Sequence, residues 1–113
     1  MERQANRLRG EVPLTLGTRD FVLRPSFAAI VAIEERLGGV ISLAVKASKG
    51  EVGLREVTAI LWEVLDGCEA SGLSEEALGA HILEEGLAAV SPVVSELLAS
   101  ILRGSRHTDR EPD

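Results

Sequence analysis

The chain has 113 residues, of which 45% are hydrophobic and 27% charged, and its formal net charge is −6. This length and balance fit one small globular domain, and a net acidic chain repels phosphate backbones, so we expect no nucleic-acid partner. The single cysteine, Cys68, excludes an internal disulfide and suits a reducing cytoplasm. There is no apolar run of about 20 residues and no secretory signal, so we expect no membrane contact.

Residues 1–9 are polar and are predicted to form a disordered arm. The arm contains Arg3, Arg7 and Arg9, and residues 1–25 as a whole carry five basic and three acidic side chains, a net charge of +2. A short arginine cluster at a terminus is more typical of solvated side chains than of a binding patch. The acidic charge lies in residues 26–102, with four basic and twelve acidic side chains.

A β-hairpin is predicted over residues 11–24. Its first strand alternates apolar side chains at Val12, Leu14 and Leu16 with other residues, and its second strand does the same around Phe21 and Leu23. The turn is expected over residues 17–20, and Pro13 marks the first strand as an edge. An isolated hairpin is marginally stable, so its apolar face must pack on the rest of the domain. The helix that follows is the nearest candidate.

Five helices are predicted after the hairpin, at about residues 26–37, 40–48, 54–68, 74–85 and 91–103. The resulting fold class is mainly α, with the hairpin as a minor β element packed on a compact helical bundle, in a single domain over residues 10–103. Residues 104–113 are predicted to be a disordered tail.

The first two helices are joined at Gly38 and Gly39. Either Ser26 caps the first helix or Pro25 is its first residue. Its apolar face is predicted to include Phe27, Ile30 and Leu37, which would clamp the helix to the second strand. On this interpretation Phe27→Ala should cost about 3–5 kcal/mol. The second helix is apolar almost all round and is therefore expected to be well buried.

The third helix carries the strongest apolar stripe, with Ile60 and Trp62 flanking it on opposite sides, and is expected in the middle of the bundle. Ser74 is predicted to cap the fourth helix, and Gly86 to end it. For the fifth helix, Ser91 is the predicted cap and Pro92 the first-turn residue.

No constellation of residues predicts catalysis or a cofactor. Cys68, His81 and His107 are too scattered to form a metal site, and Cys68 lies on an apolar stripe, as a buried structural thiol would. Adjacent glutamates on a helix point about 100° apart, which suits a solvated face better than acid–base catalysis. The glycines lack the placement of a phosphate loop. We therefore expect no enzyme, no cofactor, no metal and no small-molecule substrate.

Surfaces for another protein remain as the candidate site. A groove near Trp62 and Ile60 is the first prediction, and the hairpin edge, with Val12 and Leu14, is the second. The alternative for Trp62 is that it completes the core of its own domain.

The order of these features resembles the small tail protein encoded in gene transfer agents and related prophages, a family grouped with phage tail assembly chaperones and also labelled as tail tube proteins. The similarity spans about residues 5–103. The residues that carry it are Asn6, Arg7, Gly10, Glu11, Leu23, Arg24, Pro25, Phe27, Ile33, Glu34, Leu37, Gly38 and the segment Leu73 to Leu78.

The resemblance implies a non-enzymatic tail assembly chaperone that binds the tape-measure protein, or another tail protein, and can self-associate. Such a chaperone would be cytoplasmic during assembly and transient or absent in the mature particle. The alternatives are a structural protein of the tail tube or tail terminus, and an unrelated interaction module. One hairpin among five helices favours the chaperone, because the stacked rings of a tail tube are expected to form a continuous β-sheet around the lumen.

Overall fold

The computed structural model describes residues 11–65 and 72–103. Within these residues the fold is mainly helical with one two-stranded antiparallel sheet at the N-terminal end, which confirms the predicted fold class. The predicted arm, the predicted tail and Cys68 lie outside the described residues. The elements in chain order are β1 (Val12–Leu16), β2 (Arg19–Leu23), α1 (Phe27–Leu37), α2 (Val40–Ser48), α3 (Leu54–Val64), α4 (Glu75–Glu85) and α5 (Leu87–Arg103).

The hairpin turn is tighter than predicted, because Leu16 pairs directly with Arg19 and leaves only two residues in the loop. Gly17 adopts a φ of 65°, and no described non-glycine residue has a positive φ. This is the pattern of a type II′ turn, which requires glycine at its first central position. The pairs in the ladder alternate between hydrogen-bonded and non-hydrogen-bonded. Pro13 falls opposite Val22 at a non-hydrogen-bonded position, so the ladder loses no bond there.

The apolar face of the hairpin packs on the last two helices of the chain. Val12, Leu14 and Leu16 are all buried, and β1 contacts both α5 and α4. The backbone N–H of Gly17 also donates to a carboxylate oxygen of Glu85, at the end of α4, over 2.9 Å. The expectation that the hairpin packs chiefly on the following helix is therefore wrong, since α4 and α5 supply the surface that covers β1.

The joint between β2 and α1 has the predicted cap but not the predicted clamp. The Ser26 hydroxyl accepts a hydrogen bond from the N–H of Ala29 over 3.1 Å, and the buried face of α1 is defined by Ala29 and Ile33. Phe27 is 83% exposed. It lies six residues before Ile33, which at 100° per residue turns its side chain about 120° away from the buried face.

Helix α2 is less buried than its composition predicts. Leu43 is its only buried residue, whereas Ile41 and Val45 are 67% and 48% exposed. A carboxylate oxygen of Glu34 accepts from the N–H of Val40 over 3.0 Å and so satisfies one free donor at the start of the helix. Helix α2 therefore covers the core with one side and presents apolar side chains to solvent on another.

Helix α3 is central, as predicted, and contacts α1, α4 and α5. It ends at Val64, before the predicted end at residue 68, because Leu65 takes an extended conformation. Leu65 forms a single antiparallel β-bridge with Leu23, and the N–H of Arg24 donates to the carbonyl of Val64 over 2.7 Å. The end of α3 is thus joined to the outer edge of β2.

The last two helices meet at Gly86, which has a φ of 104° and ends α4 as predicted. Ser74 caps the start of α4 by accepting from the N–H of Ala77 over 3.0 Å. Helix α5 begins at Leu87, so the prediction that it starts at Ser91 and Pro92 is wrong. Proline lacks an N–H and fits best in the first turn of a helix, but here the chain after Gly86 is already helical and Pro92 lies within α5.

Candidate protein-interaction surface

Three of the four side chains predicted for protein interaction lie in the core. Ile60 is completely buried, and Val12 and Leu14 are nearly so. The two hairpin residues are covered because β1 packs on α4 and α5, and Ile60 belongs to the cluster at the centre of the domain. A partner that docks on this surface would not reach these side chains.

Trp62 is half-buried and packs against the hydrophobic core. This position agrees with the alternative considered from the sequence, in which the indole completes the core of its own domain. The hairpin edge is also partly occupied, because Leu65 bridges to Leu23 on the β2 side.

A groove between α2 and α5 forms a concave surface with a volume of about 710 Å³. Its lining is made of small or uncharged residues with one exception, the carboxylate of Glu96. The lining residues are Ala44, Ala47, Ser48, Gly50, Ala88, Ser91, Pro92, Ser95, Glu96, Ala99 and Leu102. In a chain with 27% charged residues, this composition marks a surface suited to apolar contacts.

Exposed apolar side chains extend the rim of this groove. Leu102, which lines it, is 49% exposed. Ile41 precedes the lining residues Ala44 and Ser48 by three and seven positions, which places it on the same side of α2. The α2–α5 groove together with these side chains is therefore the strongest candidate surface for another protein.

A second, smaller groove of about 440 Å³ lies between α3 and α4. It forms where the two helices come close at Gly79, since a Cβ added there would lie 3.4 Å from the Oγ1 atom of Thr58. Arg55, Glu75 and Glu76 line its edges. Charged edges and a smaller volume make it a weaker candidate for apolar docking than the α2–α5 groove.

Ion pairs hold the helices that shape these surfaces. The Arg36 guanidinium on α1 contacts the carboxylates of Glu63 on α3, at 3.0 Å, and Glu75 on α4, at 2.6 Å. These hydrogen bonds raise the pKa of Arg36 above its usual value, and the bond to Glu75 has the larger effect. On α2, Lys46 lies 2.8 Å from the carboxylate of Glu56.

The Glu56 carboxylate accepts from Lys46 and also from the backbone N–H of Gly53 at the start of α3. The bond from Lys46, and then the bond from Gly53, hold the pKa of Glu56 below its usual value. The side chain therefore links α2 to the start of α3 as an anion.

The described residues contain no group of three or more histidine, cysteine, aspartate or glutamate side chains that could hold a metal ion. Among these residues no single helix is long and apolar enough to cross a membrane. Helices α4 and α5 pass that test only when taken as a pair, and they are bent by 116° where they meet.

The sequence contained a signal for the α2–α5 groove that the prediction did not use. Ala88, Ser95 and Ala99 lie on one face of α5, opposite the buried residues Val90 and Leu97. A stripe of small residues on one helix allows a second helix to lie close to it, and α2 packs against α5 along this side.

The fold and this surface define a small, mainly helical domain with an apolar groove suited to protein contacts. The family model described as "Phage tail tube protein, GTA-gp10" matches residues 9–104. The chain therefore belongs to this family of tail proteins of gene transfer agents and prophages, which confirms the resemblance drawn from the sequence. No curated protein and no solved structure shows a significant similarity to the chain.

Proposed function

We propose that the chain is a non-enzymatic tail protein of a phage-like particle and acts by binding other tail proteins. The family match over residues 9–104 carries this proposal. The apolar α2–α5 groove supports it, because it offers a surface on which a second protein can bury apolar area.

The first form of this role is a structural subunit of the tail, at the tube or the tail terminus. The family description names a tail tube protein directly, and it supports this form. In this role the chain contacts further copies of itself and neighbouring tail proteins, and it stays in the particle.

The second form is a tail assembly chaperone that holds the tape-measure protein soluble until the tube forms around it. The strand content supports this form, since the described residues supply a single two-stranded sheet, whereas stacked tube rings are expected to need a continuous one. The chaperone would bury an amphipathic segment of its client transiently and act in the cytoplasm. An unrelated interaction module has no comparable support, because the chain belongs to a tail protein family.

Deletion of the gene in its host, followed by purification of particles, tests the proposal. We expect loss of tailed particles and recovery when the wild-type gene is supplied in trans. Normal tailed particles in the deletion strain would contradict the tail role.

Quantitative mass spectrometry of particles from the wild-type host separates the two forms. Abundant copies in fixed ratio to other tail proteins identify a structural subunit, whereas a gene that is required for tails but has no product in the particle identifies a chaperone. Co-expression with the tape-measure protein provides a second test, because a chaperone should increase the soluble fraction of that protein and co-purify with it.

A further inference from the structure

Helices α1 and α2 each carry an exposed row of side chains spaced four residues apart. The α1 row is Phe27, Val31 and Glu35, and the α2 row is Ile41, Val45 and Lys49. Val31 is two residues before the buried Ile33, and Val45 is two residues after the buried side chain of α2. At 100° per residue, both valines point about 160° away from the buried side of their helix. Residues four apart form the ridges by which helices pack on each other, so both rows are suited to contact with a further helix.

The two rows match each other position by position. Each has two apolar side chains followed by a charge, which is negative at Glu35 and positive at Lys49. Lys49 follows the last helical residue of α2, but its N–H still bonds to the carbonyl of Val45 over 3.2 Å, so the spacing is retained. The α1 row of one copy, laid parallel to the α2 row of another, would pair Phe27 with Ile41, Val31 with Val45 and Glu35 with Lys49. An antiparallel arrangement would place each charge against an apolar side chain, so the charges select the parallel one.

The two charges have no side-chain partner among the residues that the structure describes. In residues 11–65 and 72–103, no hydrogen bond or ion pair reaches the side chain of Glu35 or Lys49, whereas the neighbouring Glu34 and Lys46 both have partners. Glu35 also lies in the last turn of α1, where the helix dipole disfavours a negative charge. A cation from a second copy would offset this cost.

We propose that copies of this chain associate by packing the α1 row of one copy, in parallel, against the α2 row of the next. The inference names the surface through which copies meet in the structural form of the proposed tail function, and its role in the particle rests on that function. The contact closes a dimer if it forms twice between the same two copies, and it extends to a ring if each copy contacts two neighbours. None of the six residues lines the α2–α5 groove, so the two surfaces can be tested separately.

Sedimentation velocity of the full chain over a hundredfold range of concentration tests the contact. The net charge of −6 repels two copies at long range, so the salt concentration should be about 0.15 M, at which charges more than about 8 Å apart are screened. We expect the mass of the wild type to rise with concentration. A wild type that stays monomeric throughout overturns the proposal.

Truncation of the apolar positions locates the contact. Phe27→Ala and Ile41→Ala should each weaken association at least tenfold, as is common for large side chains at the centre of an interface. Leu83→Ala is the matched control, because Leu83 is also exposed, at 61%, but lies on α4. Association of both row variants at the wild-type strength overturns the proposal, and thermal unfolding verifies that each variant is folded.

Charge exchange tests the pairing of Glu35 with Lys49. Glu35→Lys and Lys49→Glu should each associate at least threefold more weakly than the wild type, because each places like charges together. An equal mixture of the two variants should restore association, since each variant supplies the charge that the other lacks. Glu84→Lys makes the same change in net charge as Glu35→Lys at an exposed position on α4, and it should not weaken association. A mixture that associates no more tightly than either variant alone overturns the pairing.

Complementation of the deletion strain separates this inference from the proposed function. Loss of tailed particles with the double variant Phe27→Ala/Ile41→Ala, but not with Leu83→Ala, supports the contact as part of tail formation. Full recovery with the folded double variant overturns that part of the inference while the tail role stands. If the deletion itself leaves tailed particles intact, the tail role fails, and sedimentation of the purified chain alone decides whether the contact exists.

Discussion

The contrast between Ile33 and Phe27 gives the sharpest test of how α1 is oriented. Ile33 is completely buried and Phe27 is 83% exposed, although both are large apolar residues on one helix. Ile33→Ala removes three carbon atoms from the core, worth about 2.4 kcal/mol at about 0.8 kcal/mol per group. The cavity left behind adds to this, so we expect a loss of about 3–4 kcal/mol in the free energy of unfolding. Phe27→Ala should change it by no more than about 0.5 kcal/mol, as for other exposed positions.

Urea denaturation followed by far-ultraviolet circular dichroism and by the fluorescence of Trp62, the only tryptophan, measures both variants. With a denaturant dependence of about 1–3 kcal/mol per molar urea, the midpoint of Ile33→Ala should fall by about 1–4 M. The midpoint of Phe27→Ala should stay close to that of the wild type. The orientation of α1 is refuted if Phe27→Ala loses more than about 1 kcal/mol, or if Ile33→Ala loses less than that, with unchanged denaturant dependence.

Three further substitutions test local features by the same urea assay. Gly79→Ala should stabilise the protein by about 0.5–1 kcal/mol, because alanine favours the helix and its Cβ fits 3.4 Å from Thr58 without a clash; a destabilised variant would contradict this spacing. Gly17→Ala should cost about 1–2 kcal/mol, since a φ of 65° is strained for any residue with a Cβ, and no loss would contradict the turn assignment. Glu56→Gln should lower the free energy of unfolding at neutral pH, because it removes the carboxylate that Lys46 contacts. The difference in unfolding free energy between variant and wild type should shrink as pH falls from the ordinary carboxyl pKa of 4.5 through the lower pKa of Glu56 in the folded protein. A difference that does not change with pH would show that the Lys46 contact contributes nothing.

Local signals predicted most elements of the fold correctly. The alternation of Val12, Leu14 and Leu16 predicted the buried face of β1, and the caps at Ser26 and Ser74 form the predicted hydrogen bonds. These features depend on neighbours within a few residues, so the sequence contains all the information that they need.

The predictions failed where contacts with distant segments of the chain determine the end of a helix or the exposure of a side chain. The end of α3 is set by the pairing of Leu65 with Leu23, 42 positions earlier in the chain. The exposure of Ile41 on α2 depends on which neighbours cover that helix, and hydrophobicity along the helix does not reveal this. The start of α5 at Leu87 was missed because a serine–proline pair such as Ser91 and Pro92 is a common helix start, whereas here Gly86 already separates the two helices.

The burial of three predicted interaction residues, Ile60, Val12 and Leu14, was missed for a related reason. Ile60 was predicted at a binding surface because it flanks the stripe of α3, but contacts with three other helices enclose α3. The tail protein family could be recognised from the sequence. The ordered set of motifs that identifies it can be read without knowing how the helices pack. The small residues of α5 indicate a contact with another helix, but they do not specify that α2 lies beside them and forms the groove.

The packing of β1 on α4 and α5 has a consequence for synthesis of the chain on the ribosome. The hairpin is made before the two helices, α4 and α5, that cover Val12, Leu14 and Leu16. At about 5–20 residues per second, the roughly 70 residues from Leu16 to the start of α5 take about 4–14 s to appear. During this interval the nascent chain exposes an apolar strand face, which makes it a target for the host's folding factors. The exposure ends when α5 emerges from the ribosome and packs on the apolar face of β1.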